Sequence, residues 1–124
     1  MFRILILVFL GGGLGSVVRF WISGLVSRCV TGTFPLGTLG VNILGSLLIG
    51  LLWGIPAVAG NDNYSPLLIA GFCGGFTTFS AFSWENLTLL KQGEVGVFFL
   101  YAGLSVALCL LFTFLGYLLG KNIG

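Results

Sequence analysis

The sequence predicts an all-α membrane protein built from four transmembrane helices. Of its 124 residues, 57% are hydrophobic and only 6% are charged, which is too little polar surface to cover a water-soluble globule. A spanning helix needs about 20 apolar residues, so the chain has room for four spans joined by short loops. We therefore predict a single domain, residues 1–124, with spans at about 2–26, 36–59, 66–90 and 95–119.

The same composition excludes several classes of function. The absence of histidine excludes a histidine-dependent catalytic triad and an imidazole proton relay, and no enzymatic activity is predicted. A net charge of +2 without a basic cluster gives no reason to expect a nucleic-acid partner. The three cysteines, Cys29, Cys73 and Cys109, contain no CxxC pair, so we interpret them as small core residues rather than disulfide or metal ligands.

The first predicted span combines small residues with one basic residue well inside an apolar run. The sequence GGGLGS begins at Gly11, and small residues of this kind allow a neighbouring helix to approach closely. Arg19 follows within the same span. Its side chain either extends to the nearer membrane interface or places a positive charge at the mouth of a pathway for anions, and the two interpretations are compatible.

The second predicted span contains one amide, Asn42, among glycines and aliphatic residues. An amide inside a bilayer must find a hydrogen-bond partner, and one interpretation is a bond to a neighbouring helix. The other is an NH2 donor directed at a passing anion.

The third predicted span contains the most unusual stretch of the chain, GFCGGFTTFSAF from Gly71 to Phe82. Glycine costs roughly 1 kcal/mol relative to alanine in a helix interior, and threonine hydroxyls compete for backbone carbonyls. We therefore predict that the third helix is broken in mid-membrane. Such a break survives where it is buried in protein or lines a wet cavity, and it frees backbone carbonyls for a cation.

Two further polar features lie in the third and fourth spans. Glu85 follows the predicted break and is either a proton carrier or a carboxylate that reaches water or a basic residue near the helix end. In the fourth span, polar residues recur every four positions and share one helix face. They form either a polar rail or a set of side chains bonded to their own helix: Tyr101, Ser105, Cys109 and Thr113.

The loop charges predict no preferred orientation in the membrane. Orientation follows the bias of lysine and arginine between the two sides. With four spans, Arg3 and Lys121 fall on one side, and Arg28 and Lys91 fall on the other. The chain is therefore predicted to insert both ways, and two copies would then pair as an antiparallel, dual-topology homodimer.

The sequence resembles a known family, the small bacterial fluoride channels called Fluc, also known as the camphor-resistance membrane proteins. The resemblance covers nearly the whole chain: GGGLGSVVRF, PLGTLGVNILG, GFCGGFTTFSAFSWE and the polar stripe of the fourth span. It implies an antiparallel homodimer with two fluoride pores. It also implies a central structural sodium ion held by the backbone carbonyls of Gly74 and Thr77 in both copies.

The resemblance also assigns residues to the fluoride pathway. Phe79 and Phe82 match the family's pore phenylalanines, and Asn42 matches its pore asparagine. Cys109 departs from the pattern, because a hydroxyl is expected there and a thiol is a weaker donor. The remaining pathway residues carried over from the resemblance are Tyr101, Ser105, Thr113, Ser80 and Arg19.

The function implied is passive fluoride export through the bacterial inner membrane, with fluoride, the lipid bilayer and a second copy of the chain as partners. One alternative is a proton-coupled, four-span exporter that uses Glu85. The position of Glu85 in the third span argues against it, since such exporters carry a glutamate in the first span. Another alternative is a purely structural membrane subunit, which explains neither the break nor the rail.

Overall fold

The protein is helical throughout. The computed structural model describes residues 1–124 and contains no strand. The helices are α1 (Phe2–Cys29), α2 (Leu36–Gly54), α3 (Pro56–Ala59), α4 (Ser65–Cys73), α5 (Gly74–Phe76), α6 (Phe79–Lys91) and α7 (Val95–Ile123). Taken together, α4 to α6 form the third long segment of the chain.

Four segments are long and apolar enough to cross a membrane, as predicted: α1, α2, the segment Ser65–Lys91 and α7. Only 19 of the 124 residues are buried, and the exposed side chains include large apolar ones on every long segment. Such a surface is unfavourable in water and suited to lipid, because lipid chains are as apolar as the side chains themselves. The chain is a multi-pass membrane protein.

The second span is shorter than the predicted range of 36–59. The helix ends at Gly54, and Ile55 has extended backbone angles, with φ −94° and ψ 106°. A residue that precedes proline is disfavoured in the helical region, so Pro56 forces this end and begins the separate short helix α3. The first and last helices run slightly beyond their predicted ends, to Cys29 and Ile123.

The third segment changes its winding along its length. Helix α4 is a π-helix, with hydrogen bonds that reach back five residues, and α5 adds one further turn. Thr77 and Thr78 then have extended backbone angles, with ψ values of 155° and 120°, before α6 begins at Phe79. That this interruption lies at mid-membrane depth stays a prediction.

Helix α1 packs in parallel along α4 and α5 through backbone contacts. A Cβ atom on Gly11 would fall on the Leu67 carbonyl oxygen, and one on Gly15 would fall on the Phe72 carbonyl oxygen. One on Gly75 would fall on the Gly12 carbonyl oxygen. Only glycine permits this separation, which explains the glycine-rich start of the chain.

Helices α2 and α7 form a second parallel pair with the same kind of contact. Gly50 lies against the Thr113 carbonyl, and Gly54 lies against the Tyr117 carbonyl one turn later. From the other side, Gly116 lies against the Leu47 carbonyl. Because both helices advance together, residues four apart on α2 face residues four apart on α7, and this register positions the candidate site.

Candidate functional site

Asn42 holds the interruption in the third segment by two hydrogen bonds. Its Nδ2 donates to the Thr78 carbonyl at 3.1 Å, and its Oδ1 accepts from the Thr78 N–H at 2.8 Å. The amide therefore bonds another segment of the chain, which is the first of the two interpretations that the sequence allowed. The second hydrogen on Nδ2 is still free to meet an anion.

The same contacts release two backbone carbonyls. In a continuous helix the Thr78 N–H would donate to the Gly74 carbonyl, but here it donates to Asn42. Likewise the Ala81 N–H would donate to the Thr77 carbonyl, but it donates to the Thr78 hydroxyl at 3.2 Å, which caps α6. Gly74 and Thr77 therefore both lose their usual helical donors.

Neighbouring carbonyls at the interruption are already occupied. The Gly75 carbonyl accepts from Arg19 Nε at 3.2 Å and from the Ser16 hydroxyl at 3.4 Å. The Cys73 carbonyl accepts from both the N–H and the hydroxyl of Thr77. Gly74 itself lies on an exposed face of the helix, with open space where a Cβ atom would stand.

Helices α2 and α7 present two polar rails to one another, because residues four apart share a helix face. The rail on α2 consists of Thr38, Asn42 and Ser46; the rail on α7 consists of Tyr101, Ser105 and Cys109. In the parallel register of the two helices, each residue of the α2 rail lies level with the corresponding residue of the α7 rail. One turn further along both helices, Gly50 meets the Thr113 carbonyl, and backbone contact closes the space between the rails.

Glu85 forms hydrogen bonds with the first residue of each rail, Thr38 and Tyr101. Its carboxylate accepts from the Thr38 hydroxyl at 2.9 Å and from the Tyr101 hydroxyl at 3.1 Å. Tyr101 is fully buried, with its ring 5.6 Å from that of Phe34 and 5.2 Å from that of Phe82. On its other side Glu85 lines a cavity of about 540 Å³ between α1, the first loop and α6.

A groove of about 330 Å³ lies between the two rails and the start of α6. Its lining residues are Asn42, Ser46, Ile49, Thr77, Thr78, Phe79, Phe82, Ser105 and Cys109. None of these nine is charged. The Phe79 and Phe82 rings stand 5.5 Å apart at its edge, and the buried Ser105 hydroxyl has no hydrogen-bond partner. The groove thus offers several hydrogen-bond donors and no fixed charge.

Known proteins are similar to this chain over nearly its whole length. Residues 6–117 match the family model described as CrcB-like protein, Camphor Resistance (CrcB). The chain belongs to the CrcB family. It is 45% identical to a protein of Flavobacterium psychrophilum named fluoride-specific ion channel FluC, over 92% of this chain and 94% of the relative. A protein with the same name from Thermus thermophilus is 47% identical over 93% of each chain.

The CrcB chain brings most of the predicted pathway residues to one place. Asn42, Phe79, Phe82 and Ser105 line the groove, and Tyr101 stands at its Glu85 end. Ser80 lies beside it, with its hydroxyl 3.2 Å from that of Thr78.

Two of the predicted pathway residues lie apart from the groove. Arg19 donates to the Gly75 carbonyl on the α1 side of the interruption. Thr113 bonds the Cys109 carbonyl of its own helix at 2.8 Å, which is the alternative noted for the polar stripe.

Two residues of the candidate site, Thr38 and Ser46, were not predicted from the sequence. Both stand four positions from Asn42 and therefore share its helix face. The signal was the same period of four that revealed the rail on α7. It was less visible on α2 because glycines at other positions dominate that stretch.

Proposed function

We propose that this protein is a fluoride-selective channel through which fluoride leaves the cell passively, down its electrochemical gradient. The observation that carries the proposal is the uncharged groove between two polar rails, in a chain whose relatives are named fluoride-specific ion channels. Its site in the cell is the bacterial inner membrane.

Fluoride is small and strongly hydrated, so a pathway for it must replace lost water with donors close to the ion. Asn42, Ser105 and Cys109 supply N–H, O–H and S–H donors along one groove. A phenyl ring is positive at its edge, so Phe79 and Phe82 add weak attraction while narrowing the groove against larger anions. Weak, repeated sites without a fixed charge allow the ion to leave again.

The proposal includes a structural sodium ion and a second, antiparallel copy of the chain. Gly74 and Thr77 fit the ion, because their carbonyls lack helical donors and Gly74 lies on an exposed face. Two copies would bring four such oxygens to one point, a set that suits a small hard cation. No carboxylate lies between residues 71 and 82, which argues against calcium.

Passive export follows from simple energetics. Neutral hydrogen fluoride crosses membranes and dissociates in a less acidic cytoplasm. An inside-negative potential then favours exit of the anion by about 2.3 kcal/mol per 100 mV. A channel therefore suffices, and no energy source is needed.

Glu85 keeps one alternative open, a proton-coupled exporter with this carboxylate as the carrier. It is the acidic group that bonds to both rails, through the Thr38 and Tyr101 hydroxyls. A channel gives fluoride flux that follows membrane voltage and ignores an imposed proton gradient. Flux that follows the proton gradient and is abolished by Glu85→Gln would favour the exporter.

The deciding experiment is fluoride efflux from liposomes that contain only this chain. We expect fluoride to leave and chloride, measured in parallel, to be retained. Efflux of both ions, or of neither, contradicts the proposal.

Replacing sodium by a large organic cation during slow equilibration tests whether the sodium ion is structural. The dimer and its fluoride flux should be lost, and full retention of both excludes a structural sodium.

A further inference from the structure

Cys109 is the only one of the three cysteines that lines the groove. Cys29 is the exposed last residue of α1, and Cys73 is buried with 1% of its surface exposed. The Cys109 side chain is half-buried and lines the groove. A thiolate is a soft ligand and selects soft metal ions over hard ones.

The residue one turn earlier carries an unpaired hydroxyl and lines the same groove. Ser105 is 94% buried, since 6% of its surface is exposed, and its hydroxyl has no hydrogen-bond partner. An unpaired buried hydroxyl is unfavourable unless a ligand or water forms a hydrogen bond with it. Ser105 and Cys109 line the same groove, opposite Asn42 and Ser46.

We propose that Cys109 is a modification site for small organomercury compounds, and that its modification closes the groove to fluoride. The closure rests on the proposed function of the groove. Methylmercury chloride suits the site because it is uncharged and small enough to enter this uncharged groove. The S–H and Hg–Cl bonds break and an S–Hg bond forms; the proton passes to water, chloride leaves, and no atom is oxidised or reduced.

The position of the adduct explains the block. Cys109 stands level with Ser46 across the groove, one turn before Gly50 and Thr113 close the space between the rails. A methylmercury group on the sulfur fills the part of the groove between Ser105 and the contact of Gly50 with Thr113. Fluoride then loses its neighbouring donors as well as its space.

The test uses the full chain in liposomes, in two variants that differ only at position 109. Cys29→Ala removes the exposed thiol and keeps Cys109; Cys29→Ala with Cys109→Ala removes both. After treatment with methylmercury chloride, mass spectrometry of the intact chain counts adducts, and fluoride efflux is compared with the untreated sample of the same variant.

We expect Cys29→Ala to gain one adduct, located on Cys109, and to lose most of its efflux, with recovery after a dithiol removes the mercury. The double variant should gain no adduct and keep its own untreated efflux. No adduct on Cys109, or an adduct on Cys73 in its place, overturns the site. An adduct on Cys109 with unchanged efflux overturns the closure. Absence of efflux before treatment contradicts the proposed function, and the adduct count still decides the site.

Discussion

Replacing Asn42 by alanine is the sharpest test of how the interruption is held. The substitution removes both hydrogen bonds to the Thr78 backbone, at 3.1 and 2.8 Å. Leaving a buried backbone group unsatisfied costs about 1–3 kcal/mol, whereas hydrogen bonds between membrane helices average about 0.6 kcal/mol. We expect the substitution to destabilise the interrupted conformation by about 1–3 kcal/mol in total. The loss is no larger because the Thr78 N–H can bond to the Gly74 carbonyl instead.

That return predicts an effect on sodium as well as on fluoride. A Gly74 carbonyl bonded to Thr78 is withdrawn from the proposed cation site. A loss of about 1–3 kcal/mol corresponds to roughly 5- to 150-fold more sodium for half-maximal function. The assay is fluoride efflux from liposomes equilibrated over a series of sodium concentrations, with an organic cation keeping ionic strength constant.

Ser46→Ala is the matched control, since Ser46 lines the same groove one turn along α2 without bonding Thr78. Ser46→Ala should at most reduce the fluoride flux, and it should leave the dependence of the flux on sodium unchanged. If Asn42→Ala lowers fluoride flux strongly but leaves the sodium midpoint of the remaining flux unchanged, Asn42 acts as an anion ligand alone. The interruption would then not depend on the two hydrogen bonds of Asn42, contrary to the prediction.

Three further predictions follow from the packing, the groove and the loop charges. Gly116→Ala should destabilise the protein by about 1–3 kcal/mol, because the added carbon meets the Leu47 carbonyl. The control Gly103→Ala places its carbon in open space and should be neutral or slightly stabilising. Thermal unfolding in detergent measures both. Phe79→Ile and Phe82→Ile should each lower fluoride efflux strongly with the dimer intact on gel filtration; unchanged efflux in both would reduce the rings to packing residues. Tags at the C-terminus should be accessible from both sides of the membrane, and accessibility from one side alone would contradict dual topology.

Much of the fold was predictable because membrane insertion depends on composition along short stretches. Four apolar stretches of sufficient length predict four spans, and the structure has four such segments. The error at the end of the second span has an equally local cause. Pro56 restricts the residue before it, and this effect was readable from the sequence but was overlooked there.

The candidate site was predictable where a period of four marked one helix face. Ser105 and Cys109 were found in this way, and both line the groove. Thr38 carries the same signal relative to Asn42 and was missed. Its partner, Glu85, lies 47 residues away in the sequence, so no local pattern indicates their hydrogen bond.

By itself, the sequence determined the class of protein, the number of its spans and the family to which it belongs. These follow from composition and from motifs within single helices. The tertiary structure alone decided which groups meet: Asn42 with the Thr78 backbone, and Arg19 with the Gly75 carbonyl. Such pairs depend on the parallel register of helices in contact through glycine, and that register arises from backbone carbonyls packing against one another, not from any one stretch of residues.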